Sequence, residues 1–179
     1  MTARAAMLAR RSRARVLDER APDRAELLEL LAIAGTVADH GALAPWRIIE
    51  LRGDDRVALG RAIAEAAGAP GERSEKPLLA PLLLAVVASR RPSPKVPAWE
   101  QDATTAGVAH ALALLLDEAG WGVMWRTGGA VRSEPVRRLH GLGDAEELLG
   151  WLYVGAPDPA APPRPRTPVG VADRLSRLP

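Results

Sequence analysis

Between residues 106 and 116 almost every position is small or aliphatic (AGVAHALALLL). His110 is the one interruption, and Asp117 and Glu118 close the run. A stretch that is apolar on every face predicts a helix buried all round, the central helix of a core. It falls short of the about 18–20 apolar residues that a membrane span needs. The helix follows a charged turn near Trp99 and stops at Gly120. A short strand then carries Trp125, Arg126 and Thr127 into the Gly128-Gly129 corner. Ala106, Gly107, Ala109 and Ala113 allow a second helix to approach closely, including one from a second subunit.

Other periods mark the remaining elements. Leu27, Leu30, Leu31, Ala34 and Val37 recur at helical spacing behind Pro22-Asp23, where Asp23 and Glu26 stand in capping-box spacing. Val57, Leu59, Ile63 and Ala66 outline another helix over residues 55–67. A first helix is expected from residue 3 to about 15, with Ala5, Met7 and Leu8 inward. The unbroken apolar run 82–88 (LLLAVVA) suits a strand covered on both faces. Residues 47–51 and 148–154 read as strands, 133–140 as a short helix, and 171–178 as a last helix. About four strands alternate irregularly with helices, which predicts an α+β three-layer arrangement with a mixed or antiparallel sheet, not a repetitive doubly wound one. Residues 1–158 form one domain in this reading. Five prolines from Pro159 to Pro168 make residues 159–179 an extended C-terminal arm.

Composition narrows the chemistry. The absence of cysteine excludes disulfides, thiolate nucleophiles and thiolate-bound metals. No export signal is visible, so the expectation is a cytoplasmic protein. Of 24 basic and 22 acidic residues, the first twenty positions hold six Arg and two acids, leaving 18 against 20 in the rest. Within RRSRAR (residues 10–15), two readings stand. The arginines complement the C-terminal dipole of the first helix, or they form an anion site in which forked guanidinium donors and Ser12 hold a phosphate.

Gly120-Trp121-Gly122 follows a helix and precedes a strand, the reverse of a dinucleotide-binding loop, so it reads as a C-cap and turn. No histidine spacing suits a metal. His110 reads as a core histidine and His140 as a helix C-terminal residue. His40, beside Asp39 in a loop, is the histidine that is a site candidate.

Taken in order, RRS at 10–12, the loop ending Ala44-Pro45-Trp46, KVPAWEQ at 95–101, the apolar helix, GWGVMWRTG at 120–128 and WLYVGAP at 151–157 resemble the flavin-dependent nitroreductases, especially short YdjA-type members. The resemblance spans roughly residues 4–158. It implies an intertwined homodimer with two FMN sites at the subunit interface. By position, Arg10, Arg11 and Ser12 would hold the FMN phosphate and ribityl chain, and Trp125, Arg126 and Thr127 would contact FMN from the partner chain. His40 would lie by the flavin or nicotinamide face, and Glu118 and Gly120 match a stretch assigned to NAD(P)H. Departures are Ala14, where many relatives carry a basic residue, and Asp39, His40, Ala42 and Ala44, near the usual polar residues of the loop. A tail arginine, Arg164 or Arg166, would complete the phosphate site.

The implied activity passes hydride from NAD(P)H through FMN to an electron-poor small molecule (nitroaromatic, quinone or enone). The cofactor supplies the chemistry and the protein supplies position and charge. No catalytic side chain, metal, membrane or nucleic acid is called for. An FMN-binding protein without reductase turnover is the alternative. Nucleic-acid binding by the Arg cluster fits less well, since no aromatic platform alternates with it.

Overall fold

The apolar run 82–88 is buried at every position and forms strand β3 (Leu82–Ser89). In this computed structural model, which describes residues 2–17, 20–161 and 165–178, β3 lies between β2 (Trp46–Leu51) and β5 (Glu146–Pro157), antiparallel to both. The other edge of β5 is shared by β4 (Gly122–Arg126) and the two-residue β1 (Val16–Leu17). The sheet thus has five strands, all antiparallel; β1 is too short to leave a period in the sequence.

Side chains alternate across a strand, so β3 feeds two cores. Leu82, Leu84 and Val86 join Leu152 and Val154 against α2 (Arg24–Ala34) and α4 (Ala98–Glu118). Leu83, Ala85 and Val87 join Trp151 and Tyr153 against α3 (Asp54–Ala66) and α5 (Glu134–Leu139). Each Leu or Val fully withdrawn from water contributes roughly 1.5–3 kcal/mol, which makes this the three-layer sandwich that the pattern predicts. Asp23 caps α2 as its spacing requires, accepting the Glu26 N–H at 2.9 Å.

Three expectations need correction. The first helix, α1 (Ala3–Ala9), ends six residues early: Arg10 turns to φ −50°, ψ 131°. The next backbone groups pair instead with the sheet, through a parallel bridge from Ser12 to Val123 and through β1. Helix α4 buries one face only, through Gln101, Thr105, Val108, Ala109, Leu112 and Leu116. Its other face, including His110, is half-buried or exposed in a single chain, so His110 is not a core residue. Near the C-terminus only a 3-10 turn forms, Ala172–Arg174, because Leu175 and Leu178 are 86% and 95% exposed and nothing packs a longer helix. Among the described residues no helix is long and apolar enough to cross a membrane.

Candidate cofactor site

The N-terminal segment is placed by close approach. After α1 it runs beside β4, where the Arg13 N–H donates to the Val123 carbonyl at 2.9 Å, and then crosses the end of β4 to reach β5. Glycines make room for the crossing. A Cβ at Gly122 would lie 2.7 Å from Val16 Cγ1, and one at Gly155 would lie 2.9 Å from Val16 Cγ2.

The freed carbonyls at the end of α1 are taken by guanidinium groups. Arg11 Nη1 donates to Leu8, Ala9 and Arg10 carbonyls at 2.6, 3.1 and 3.0 Å. From the arm, Arg166 Nη2 donates to the carbonyls of Met7 and Arg10 at 2.9 and 2.8 Å. The helix-dipole reading of the cluster therefore holds for Arg11, which lies just beyond the helix, and not for Arg10–Arg15 as a helical face.

A cavity of about 560 Å³ opens here, lined by residues 10–15 together with Met124, Arg126 and Arg166. Six of its lining residues are arginines and none is acidic, which suits a phosphate dianion. Arg126, at the end of β4, donates to the Ala14 carbonyl at 3.3 Å and sits 5.0 Å over the Tyr153 ring. One chain thus brings Arg10, Arg11 and Ser12 together with Arg126.

Met124 and Arg126 also line a second cavity of about 380 Å³, with Trp125, Thr127, Lys76, Trp151 and Tyr153. Aromatic walls and one ammonium group fit a planar, electron-accepting ring. Burial raises the Tyr153 pKa, which leaves the phenol neutral beside Arg126. Trp125 Nε1 and Arg126 Nε are buried without a hydrogen-bond partner among the described residues, an unusual cost that a bound acceptor would relieve. A β-bulge shapes this end: between Val86 and Val87 the register skips Leu149, and Gly150 takes φ +130°. A Cβ there would lie 2.6 Å from the Arg126 carbonyl oxygen.

The remaining expected residues lie elsewhere in the chain. His40 sits on a 3-10 turn, His40–Ala42, with Nδ1 2.8 Å from Glu100 Oε1 at the start of α4. It lines an open groove of about 450 Å³ with Val37, Thr104 and Gly107 and borders neither arginine nor aromatic cavity. Its loop holds Ala42 and Ala44 at φ 48° and 44°, a left-handed conformation that costs alanine of order 1–2 kcal/mol each. Asp39 ties the loop by accepting the Ala44 N–H at 2.7 Å. Glu118 and Gly120 are exposed at the C-terminal end of α4, where Gly120 has φ +90°, and line neither cavity. His110 stands edge-on to Trp125 at 5.1 Å. Arg164 lies outside the described residues.

Sequence reasoning missed Lys76, Trp151 and Tyr153. Lys76 was hidden in a Gly/Pro-rich loop, though it is one of only two lysines. Trp151 and Tyr153 share one face of a strand whose bulge no periodicity reveals.

The three-layer α+β fold carries an arginine-lined cavity and an aromatic slot that share Met124 and Arg126 in their walls, and this architecture defines the class. The Nitroreductase family model matches residues 7–156, and the chain belongs to that family; it is an oxidoreductase. It is 30% identical over 158 residues to YdjA of Escherichia coli (strain K12), a protein named as a candidate NAD(P)H nitroreductase, covering 84% of this chain and 86% of that one. Among solved structures, a nitroreductase-like family protein from Bacillus cereus superposes with TM-score 0.84 at 23% identity, covering 99% and 96% of the two chains. The FMN and NADPH-dependent nitroreductase NfnB from sphigopyxis sp. strain HMH superposes with TM-score 0.78 at 22% identity, covering 99% of each. At these identities the two structures speak for the fold.

Proposed function

We propose that this protein is an FMN-dependent NAD(P)H oxidoreductase that passes hydride to an electron-poor small molecule such as a nitroaromatic, quinone or enone. The observation that carries the reading is that Met124 and Arg126 wall both a cavity with six arginines and no acid and an aromatic slot lined by Lys76. FMN, when bound, supplies hydride acceptance and donation. Arg10 and Ser12 hold the phosphate, and Arg11 fixes the segment that presents them by closing the end of α1. Trp125, Arg126 and Thr127 border the ring. Lys76 and Arg126 place positive charge where negative charge grows on reduction, which favours hydride uptake. Glu118 and Gly120 form the edge offered to NAD(P)H.

His40 reaches the ring of a second subunit in this reading, because it borders neither cavity of its own. The enzyme is a homodimer. Its contact uses the half-buried face of α4 and the exposed apolar residues of α1 and α2: Met7 and Leu8 are 56% and 59% exposed, and Leu28 and Ile33 are 58% and 55%. Residues 1–158 form the working domain, the arm closes the anion cavity through Arg166, and the setting is the cytoplasm.

The test is anaerobic reduction of the FMN-loaded protein by NADH or NADPH, followed by oxidation with a nitroaromatic or quinone. Bleaching of the flavin spectrum, its return on adding the acceptor, and parallel double-reciprocal plots are expected, since one site serves both substrates in turn. Bound FMN that neither nicotinamide reduces would favour a flavin-holding protein without turnover. A folded protein that ignores FMN would sink the flavin reading altogether.

A further inference from the structure

One buried titratable side chain among the described residues takes no part in the proposed chemistry. His140, the C-cap of α5, is 7% exposed in the core beneath α3 and α5. Its Nδ1 lies 2.8 Å from the Val136 carbonyl oxygen, which can only accept, so the ring proton belongs on Nδ1. Nε2 is left with a lone pair and accepts the indole N–H of Trp151 at 3.1 Å. Trp151 in turn walls the aromatic cavity beside Lys76, Arg126 and Tyr153. A buried indole N–H normally has a partner, and among the described residues Nε2 is the one it has.

We propose that His140 is a positioning residue for the aromatic cavity: by accepting the Trp151 N–H, it fixes the indole wall against which a flavin ring lies. This rests on the flavin reading. The link holds only while His140 is neutral, because an imidazolium presents N–H groups at both nitrogens and accepts nothing. Burial pushes the His140 pKa down; the Val136 hydrogen bond opposes this, and the nearby charge of Arg47 adds to it. The other charged groups around it are Glu50 of β2 and Asp55 of α3, which border the same small cavity, and Glu134, Arg137 and Arg138 on its own helix. Arg138 is paired with Glu65 of α3 at 2.9 Å, and Arg137 donates to the Glu146 and Gly143 carbonyls. None of these sits between His140 and Trp151. Acid therefore breaks the anchor, and ring binding weakens below the ordinary histidine range while the neutral form holds above it.

Riboflavin is the probe, because it carries no phosphate that titrates in this range. Its affinity for wild type, read by fluorescence quenching, is flat near neutral pH and falls about three- to tenfold as acid below the ordinary histidine range protonates the ring, the effect of one neutral hydrogen bond. His140→Leu shows the weakened affinity at neutral and acid pH alike. His140→Gln, whose amide oxygen accepts without titrating, restores binding and removes the pH dependence. Trp151→Phe keeps an aromatic wall without the N–H and also gives a flat profile, so it carries the test if His140→Leu does not fold. The Trp151 indole N–H resonance shifts with acid in wild type and stays put in His140→Gln. An acid loss that survives in His140→Gln would belong to another group and overturns the proposal. So does wild-type affinity in His140→Leu. If wild type binds neither riboflavin nor FMN, the flavin reading itself has failed and the ligand assigned to this wall goes with it. If wild type binds both and only the variants disagree, the failure is confined to His140.

Discussion

Arg10 stands where the chain leaves α1 and enters the arginine cavity, and its ligand contact is the one most open to a single-residue test. If it grips a phosphate, Arg10→Ala removes a charge-assisted contact worth roughly 1.5–3 kcal/mol, and FMN affinity falls about ten- to a hundredfold. Riboflavin, lacking the phosphate, binds wild type and variant alike. Arg4→Ala, on the same helix outside the cavity, leaves FMN binding unchanged. Equal weakening by both substitutions would make the cluster a solvated basic face.

A different single-residue test concerns stability. Arg47 Nε and Nη2 donate to the two carboxylate oxygens of Glu146 at 2.6 and 2.7 Å, and this contact holds the Glu146 pKa down to about 2. A depressed carboxylate contributes stability above its unfolded pKa and loses it as pH falls through the folded one. Glu146→Gln therefore lowers stability at pH 7 by about 1–3 kcal/mol. In urea titrations the gap between wild type and variant narrows below about pH 4.5 and closes near about pH 2. A gap that stays constant from neutral to strongly acid pH would rule the ion pair out as its source.

At the scale of elements, the site depends on two close passages: the N-terminal segment over β4, and the Gly150 bulge against the end of β4. Gly150→Ala places a Cβ 2.6 Å from a backbone oxygen at φ +130°, so neither rotamer change nor backbone drift is easy. Strain and overpacking together predict a loss of about 2–4 kcal/mol. Gly122→Ala meets a movable valine methyl first, at 2.7 Å, and should cost less. Gly143→Ala, with nothing within 4 Å, is the neutral control. Denaturant melts order the three, and a Gly150→Ala protein as stable as the control would refute the role given to the bulge. The run 82–88 was legible as a doubly covered strand because burial on both faces needs apolar residues at every position. The end of α1 was not, since Arg10 and Arg11 are good helix formers and it is backbone pairing with Val123 and with β5 that draws the next residues into the sheet.

At the scale of the whole molecule, the half-covered face of α4 predicts association. Sedimentation of the FMN-loaded protein at micromolar concentration should give a dimer, and a flavin-bearing monomer would contradict it. The apolar pattern at 106–116 asked for a helix enclosed on all sides. One chain encloses a single face, and in the proposed dimer the partner covers the other.

Sequence by itself determined what local periodicity encodes: the α+β class, four of the five strands and the capped start of α2. These follow from spacing along the chain, which chemistry reads directly, whereas the roles proposed for Arg10, Ser12 and Arg126 come from the family resemblance. Only the tertiary structure decided which of them meet. Trp151 and Tyr153 come beside Arg126 through the pairing of β4 with the bulged β5, and Lys76, on the turn before β3, lines the same cavity. Arg166 reaches Arg10 across more than 150 residues of chain. His140 meets Trp151 because α5 folds onto the face of β5 that the bulge reorders. Such meetings depend on register and close approach between distant segments, and neither leaves a period in the amino-acid order.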